Sequence, residues 1–586
     1  MAKKGEDANT MVKPPQRLMC AAIDFGTTYS GYAFSMKSNQ TQIFCPHWKG
    51  SNYQSMKTPT CLLLDSNQKF DSFGYVAQDR YAEITGEDQQ DSWYYFKNFK
   101  MKLHSKKHPM KRGTKLMEEG GKSLPAMKVF STSIRYLKEE FEKEKKKQGK
   151  KVHDEEITWV LTVPAIWDEE AKQFMRVAAE EAGIPSDQLV IALEPEAASV
   201  YAKDVNVKRE QTEDEQLILS PYDPGTKFMV VDLGGGTVDI TVREVMKDRT
   251  LKELYAACGN AKGGNTVNKD MLEFLTQIIG DDIMKEFKMT QKAGYFDLEK
   301  EIETKKRAPE AQDQKIPIIL PGTLLDLYST KKGCDLEKCE KLQKDFKKTV
   351  SLKHARLKVD LQHFPLFFKK SVDSILRNIR EILSQDFASG LKDVIIVGGY
   401  ADCPTIRRAI ESVFEEVSFV IPHEAGLAVL KGAVLYGHNP NVVSARMCRY
   451  TYGTEVHRYF LDGKDDESKK KVIDGVPYCT QVFNKLAEIG QTFGVGSKVV
   501  TEVYPIRPDL IKMPVKLYKS TEKNPHFVTD KGSTYMGQIV VDMPDTTKGM
   551  ERCVKVYLKF GETELKLEAI DQSTGTEATV SLDLLS

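Results

Sequence analysis

One short plan occurs twice in this chain, and it restricts the fold more than any other feature. Ile23-Asp24-Phe25-Gly26-Thr27-Thr28-Tyr29-Ser30 and Val231-Asp232-Leu233-Gly234-Gly235-Gly236-Thr237-Val238-Asp239 each run from an apolar strand to an aspartate, through a glycine turn carrying threonine, into a second strand. Apolar runs of the buried-strand type lead into both, MCAAI ending at Ile23 and FMVV at 228–231. Two more such runs, ITWVLTV at 157–163 and VIIV at 394–397, follow later, and the last enters a third glycine turn at Gly398-Gly399-Tyr400. Helical patterns lie between them. That at 169–182 can be capped by Asp168 and closed by Gly183. The alternation predicts a layered α/β architecture.

The repeated turns suit phosphate chemistry. Glycines let backbone N–H groups approach phosphate oxygens with no Cβ in the way, and threonine hydroxyls add donors beside them. An aspartate at the strand end can hold a hydrated Mg²⁺, which takes few carboxylates and keeps most of its waters. Two such loops face to face would clamp a triphosphate, with Gly26, Thr27, Thr28 and Tyr29 on one side and Gly234, Gly235, Gly236 and Thr237 on the other. A Walker-type loop is not the source of binding. Its nearest imitation, Gly120-Gly121-Lys122-Ser123, has Leu116 where the first glycine should stand and no apolar strand before it.

At 586 residues the chain exceeds what one core usually serves. The expected organisation is a disordered polar leader at 1–17, an α/β domain at 18–438, a linker at 439–447 and a β-rich domain at 448–586. In the last region the period becomes two: Val554, Val556, Leu558 and Phe560 alternate with Lys555, Tyr557 and Lys559, and ETELKLEAI after Gly561 completes a hairpin. The runs KVVTEVY, MPVKLYK, GQIVVDM and ATVSLDLL extend an antiparallel domain, with no long amphipathic helix expected as a lid. Basic and acidic residues balance at 85 against 84, which favours neither nucleic acid nor membrane as a partner. The lysine cluster at 138–151 reads as a solvated helix end, and Cys334 and Cys339 lack the further ligands of a zinc site. Ten thinly spread cysteines and no apolar run long enough to span a bilayer predict a reducing compartment, the cytoplasm or nucleus.

DFGTTYSG at 24–31, LTVPAIW at 161–167, LEPEAAS at 193–199, VVDLGGGTVDITV at 230–242 and VIIVGGYADCPTIRRAI at 394–410 resemble the 70-kDa heat-shock chaperones of the actin-like ATPase superfamily, over residues 18–437. TWVLTVPAIWDEEAKQFMR and MCRYTYG resemble the divergent type 12 branch. The resemblance implies a two-lobed actin-like (ribonuclease H-like) ATPase domain followed by a smaller antiparallel β-sandwich domain. It implies ATP or ADP with Mg²⁺ as cofactors, Asp24 and Asp232 holding the metal through water. Glu194 would orient the attacking water, Asp239 is a second candidate carboxylate, and Lys100 would face the γ-phosphate, with Lys97 and Lys102 in the same segment as alternatives. Gly263, Gly264, Gly398, Gly399 and Tyr400 match further nucleotide positions. Glu303, Lys306 and Arg307, at i, i+3 and i+4 on one helix face, match the adenosine side.

The chain also departs from that pattern. Asp402 stands where an adenine-stacking arginine is usual, Asn265-Thr266 where an acidic residue follows the glycine pair, and His423 in place of an aspartate. Residues 308–345 read as an insertion, and Val442-Val443-Ser444-Ala445-Arg446-Met447 replaces the acidic, leucine-rich linker. The resemblance implies a slow ATPase coupling nucleotide state to protein clients or adaptors through the β domain, with an exchange factor as a further partner. The alternative is a scaffold that binds ATP with negligible turnover. A sugar kinase would need sugar-binding loops that this sequence does not display.

Overall fold

The computed structural model describes residues 16–584, apart from 50–53, 88, 105–109, 150, 205–207, 212–216, 221, 308–314, 415–416, 423, 561–562, 574–576 and 580–583. The leader expected at 1–17 therefore lies outside the described residues except at its end, where Arg17 pairs with Asp187 at 2.8 Å. His423 lies outside them too.

The repeated sequence plan becomes two sheets of the same order. In the first lobe the strands are β1 (Met19–Phe25), β2 (Tyr29–Met36), β3 (Asn39–Phe44), β4 (Ile157–Val163) and β5 (Leu189–Leu193), arranged β5-β4-β1-β2-β3. In the second they are β6 (Lys227–Leu233), β7 (Val238–Val245), β8 (Leu251–Asn260), β9 (Asp393–Val397) and β10 (Ser418–Val420), arranged β10-β9-β6-β7-β8. In both, the first strand pairs antiparallel with the second and parallel with the fourth. Each glycine turn thus sits at the end of a central strand.

Strand periodicity then decides where the aspartates point. Met19, Ala21, Ile23 and Phe25 join a core on the outer face of the first sheet, and Met229, Val231 and Leu233 join one on the outer face of the second. Cys20, Ala22, Phe228 and Val230 face a third core between the sheets, so Asp24 and Asp232 fall on the inward faces. Two helices fill that space, Glu194–Asp204 and Ala428–His438. Small residues let them approach closely: a Cβ on Gly432 would lie 1.8 Å from the Ala197 carbonyl oxygen. Helix Glu169–Glu181 is capped as its sequence predicts, Asp168 accepting from the Ala171 N–H at 2.9 Å.

One region differs from the sequence reading, and two others add to it. The described part of 308–345 is built into the second lobe, its strand Lys315–Ile319 and helix Gly322–Lys332 contributing Ile316, Ile318, Leu324 and Tyr328 to that core. The stretch expected to be a linker holds a strand, β11 (Val443–Met447), which pairs parallel with β8 and extends the second sheet. Strand Thr492–Gly494 of the C-terminal region pairs with β11 in turn. The second sheet therefore continues from the α/β domain into the C-terminal region.

Beyond β11, two antiparallel sheets share one core: Val515, Leu517, Ile539 and Val541 from one meet Val554, Val556, Leu558 and Leu567 from the other. The predicted hairpin forms between Val554–Lys559 and Lys566–Asp571, with Val556 opposite Ala569. This region leans on helix Glu169–Glu181. Arg176 Nε donates to Glu564 at 2.7 Å, Lys172 to the Thr563 carbonyl at 3.1 Å, and Lys519 pairs with Glu170 at 3.2 Å. Among the described residues no helix is long and apolar enough to cross a membrane.

Candidate functional site

The two glycine turns meet. A Cβ on Gly235 would stand 2.0 Å from the Thr28 hydroxyl, and one on Gly236 would stand 2.7 Å from that of Thr27 and 2.3 Å from the Met101 sulfur. Only glycine permits this approach, so the second turn is shaped to present bare backbone to the first. The third turn is equally constrained. Gly398 has φ +90, and a Cβ there would lie 2.4 Å from Asp232 Oδ1. Tyr400 N–H donates to the Leu233 carbonyl at 2.9 Å, tying that turn to the end of β6, while Gly399 borders open space.

Gly263 and Gly264 sit on the second turn as well. The Gly264 N–H donates to the Gly234 carbonyl at 3.1 Å and the Asn265 N–H to that of Gly235 at 2.8 Å. Asn265, which replaces the expected acid, also accepts from the Thr28 hydroxyl at 3.5 Å. An amide here joins the two lobes without adding negative charge.

Four buried carboxylates and two ammonium groups converge beside the turns. Lys57 Nζ lies 2.6 Å from Asp24 Oδ2, and the Thr162 hydroxyl donates to Asp24 Oδ1 at 2.9 Å. Burial would raise the Asp24 carboxyl, but Lys57 outweighs it and holds it below the usual range. Lys100 Nζ pairs with Glu194 Oε1 at 2.7 Å and lies 5.1 Å from the centre of the Trp167 ring. Lys97, one alternative considered for this role, pairs with Glu299 and Glu119 instead. Burial pushes Glu194 up to about 7, Lys100 opposing and Asp24 and Asp239 reinforcing the shift. Asp239 accepts from the Ile166 N–H at 3.1 Å through Oδ1, while its buried Oδ2 has no partner. Asp232 is raised well above the ordinary range, first by burial and then by Glu194, Asp239 and Asp24.

Ionised together, these groups leave two negative charges in excess, which one divalent cation would neutralise. Among the described residues no group of three or more ligating side chains is close enough to hold an ion directly. Mg²⁺ takes few carboxylates and keeps its waters, and the excess negative charge of this donor set fits such an ion. When bound, it would offset charge on the phosphates.

A separate cluster lies on the second lobe. Glu303 pairs with Lys306 and, at 2.8 Å, with Arg307 Nε, and it accepts from Asn268 at 2.8 Å. Burial would raise Glu303, but the two cations hold it at about 2. Arg307 lies over the Tyr29 ring at 5.1 Å from its centre, and Lys306 donates to the Gly264 carbonyl at 3.4 Å, close to Tyr400. This cluster therefore joins the glycine turns. Asp402 lies nearby with a side chain 51% exposed, 4.0 Å from Arg407, and offers no flat cation to stack on a base.

Sequence reasoning missed Lys57, Thr162, Asn268 and the Ile166 N–H. Thr162 shares the inward face of β4 with Val160 and was within reach of a period-two argument. Lys57 lies between two-residue strands and carries no pattern at all.

Paired sheets with opposed glycine turns and inward aspartates define a two-lobed actin-like ATPase domain. The family described as Hsp70 protein matches residues 84–458. The chain is 34% identical to Heat shock 70 kDa protein 12A of Mus musculus, over 99% of this chain and 93% of that protein. It is 33% identical to Heat shock 70 kDa protein 12B of Homo sapiens, over 98% and 93%. Similarity to the Chaperone protein DnaK of Mycoplasmopsis agalactiae is 25% and covers 50% of this chain and 44% of that protein. The chain belongs to the 70-kDa heat-shock protein family, in its type 12 branch. Membership supports a nucleotide-binding, chaperone-like function.

Proposed function

We propose that this protein binds ATP with Mg²⁺ between its lobes, hydrolyses it slowly, and uses the nucleotide state to control protein clients or adaptors at a β-sandwich C-terminal domain. The observation that carries this reading is the meeting of two aspartate-ended glycine turns beside the Lys100–Glu194 pair. Backbone N–H groups and the hydroxyls of Thr27, Thr28 and Thr237 would hold the phosphates, while Lys100 offsets charge on the γ-phosphate. Glu194, once ionised, would orient a water for attack on the γ-phosphorus as the bond to the ADP oxygen breaks. The Glu303, Lys306 and Arg307 cluster would take the ribose.

Two connections support coupling to the C-terminal region. Strand β11 extends the second sheet, and its Arg446 donates to the buried Glu196 at 3.0 and 2.8 Å, two residues from Glu194. Glu564 and Lys519 meet the first lobe on helix Glu169–Glu181. Relative motion of the lobes would therefore act on both ends of one unit. Clients would add along an exposed strand edge, and an exchange factor would act on the lobes.

A scaffold with negligible turnover is the second reading, favoured by the pairing of Asp24 with Lys57. Single-turnover hydrolysis separates the two. A slow ATPase loses at least tenfold in rate on Glu194→Ala with ATP binding intact; a rate that does not change assigns the protein to the scaffold class.

A further inference from the structure

Lys57 is fixed in place by the turn it serves. Strand Thr58–Pro59 pairs with Ser30 and Tyr29 of β2, which ties the Lys57 backbone to the end of the first glycine turn. The Lys57 N–H donates to the Ser55 hydroxyl at 3.2 Å. Its stem crosses Gly31, where a Cβ would lie 3.2 Å from Lys57 Cγ, and Gly31 is the residue opposite Asp24 in the β1–β2 ladder. These constraints deliver the ammonium to Asp24 Oδ2 at 2.6 Å with a side chain only 18% exposed. Thr162 engages the other carboxylate oxygen. Each oxygen of Asp24 thus accepts from a group of the chain itself.

Among the described residues no cation pairs with Asp232. The acidic groups Glu194, Asp239 and Asp24 all act on Asp232, and a cation acting on it is the same Lys57, which already bonds Asp24. A free cation approaching Asp24 would be repelled by the ammonium, whose charge already offsets that of the carboxylate. A triphosphate entering between the turns would instead meet a fixed positive charge.

We propose that Lys57 is a built-in counter-ion, filling the cation position at Asp24, so that this chain binds nucleoside triphosphate with little dependence on a divalent metal. The proposal rests on the nucleotide-binding reading above and deepens it. It leaves Asp232 and Asp239 as the carboxylates open to a metal ion.

The test is calorimetric titration of the full chain with ATP, in Mg²⁺ and in EDTA, for wild type, Lys57→Met and Lys57→Arg. Wild type and Lys57→Arg should lose less than about threefold in affinity when the metal is removed. Lys57→Met should lose at least about tenfold on the same change. A wild-type affinity that falls tenfold or more in EDTA overturns the proposal, as does a Lys57→Met ratio equal to that of wild type. Thermal unfolding of each variant, with and without ATP, gives the same comparison where heats are small. Absence of ATP binding in both buffers would instead overturn the nucleotide-binding reading itself.

Discussion

Asp24 and Asp232 end equivalent strands of equivalent sheets, yet their surroundings are electrostatically opposite. Asp24 is ion-paired by Lys57 and hydrogen-bonded by Thr162, so its charged form is favoured. Asp232 faces three other carboxylates in a buried setting and is driven toward its neutral form. The repeated sequence therefore sets position but not charge. Much of the difference comes from residues outside the repeat: a lysine from an irregular segment and a glutamate from the helix after β5, with a threonine of β4 adding a hydrogen bond. One half of the site carries its own counter-charge, and the other is dominated by carboxylates.

The contrast predicts opposite responses to one chemical change. In metal-free protein Asp24→Asn strands a mostly buried ammonium and should cost about 3 kcal/mol of stability. Asp232→Asn removes an uncompensated buried acid and should be neutral or stabilising by up to about 1 kcal/mol. Denaturant midpoints of the two variants measure the difference, and equal losses would erase the asymmetry.

A second prediction concerns the buried ion pair that ties β11 to the helix after β5. Glu196 is buried on Arg446 of β11 and lies 3.6 Å from Arg243. Arg446→Met should cost about 2 kcal/mol, less than the full loss of a buried pair because Arg243 remains. It should also speed hydrogen exchange at 443–447 while leaving β1 protected. If exchange in β11 does not change, the strand is held by its ladder alone.

The smallest effect is a pH dependence. Glu194 stands at about 7 in the folded chain, against about 4.3 for an ordinary glutamate. The folded state keeps this proton while the unfolded chain loses it, so Glu194 lowers stability as pH rises across that window and adds nothing further above it. Hydrolysis needs the ionised form and should run the other way, about tenfold slower at pH 6 than on the plateau above pH 8. Single-turnover rates across that range measure it. A flat profile would assign the water to another group.

Much of the ATPase half is legible in residues because it follows local rules. Aspartate at the end of a buried strand, glycine in the turn and period-two alternation fix β1, β6 and the faces their aspartates occupy. Asp168 and Gly183 bound a helix for equally local reasons. The segment 308–345 shows the limit: its apolar residues do not say what they pack on, and only contact with helices Asp281–Thr290 and Lys292–Arg307 assigns them to the second lobe.

The sequence by itself determined the doubled strand-turn plan, the inward aspartates, the glycines that let the turns meet and the hairpin pattern of the C-terminal region. Each depends on neighbours in the chain or on simple periodicity. Tertiary structure alone decided that Lys57 meets Asp24, that Lys100 rather than Lys97 meets Glu194, and that Val443–Met447 joins a sheet instead of hanging free. Those outcomes depend on electrostatic and hydrogen-bonding partners brought from distant segments, and such partners leave no period or spacing in the residues that receive them.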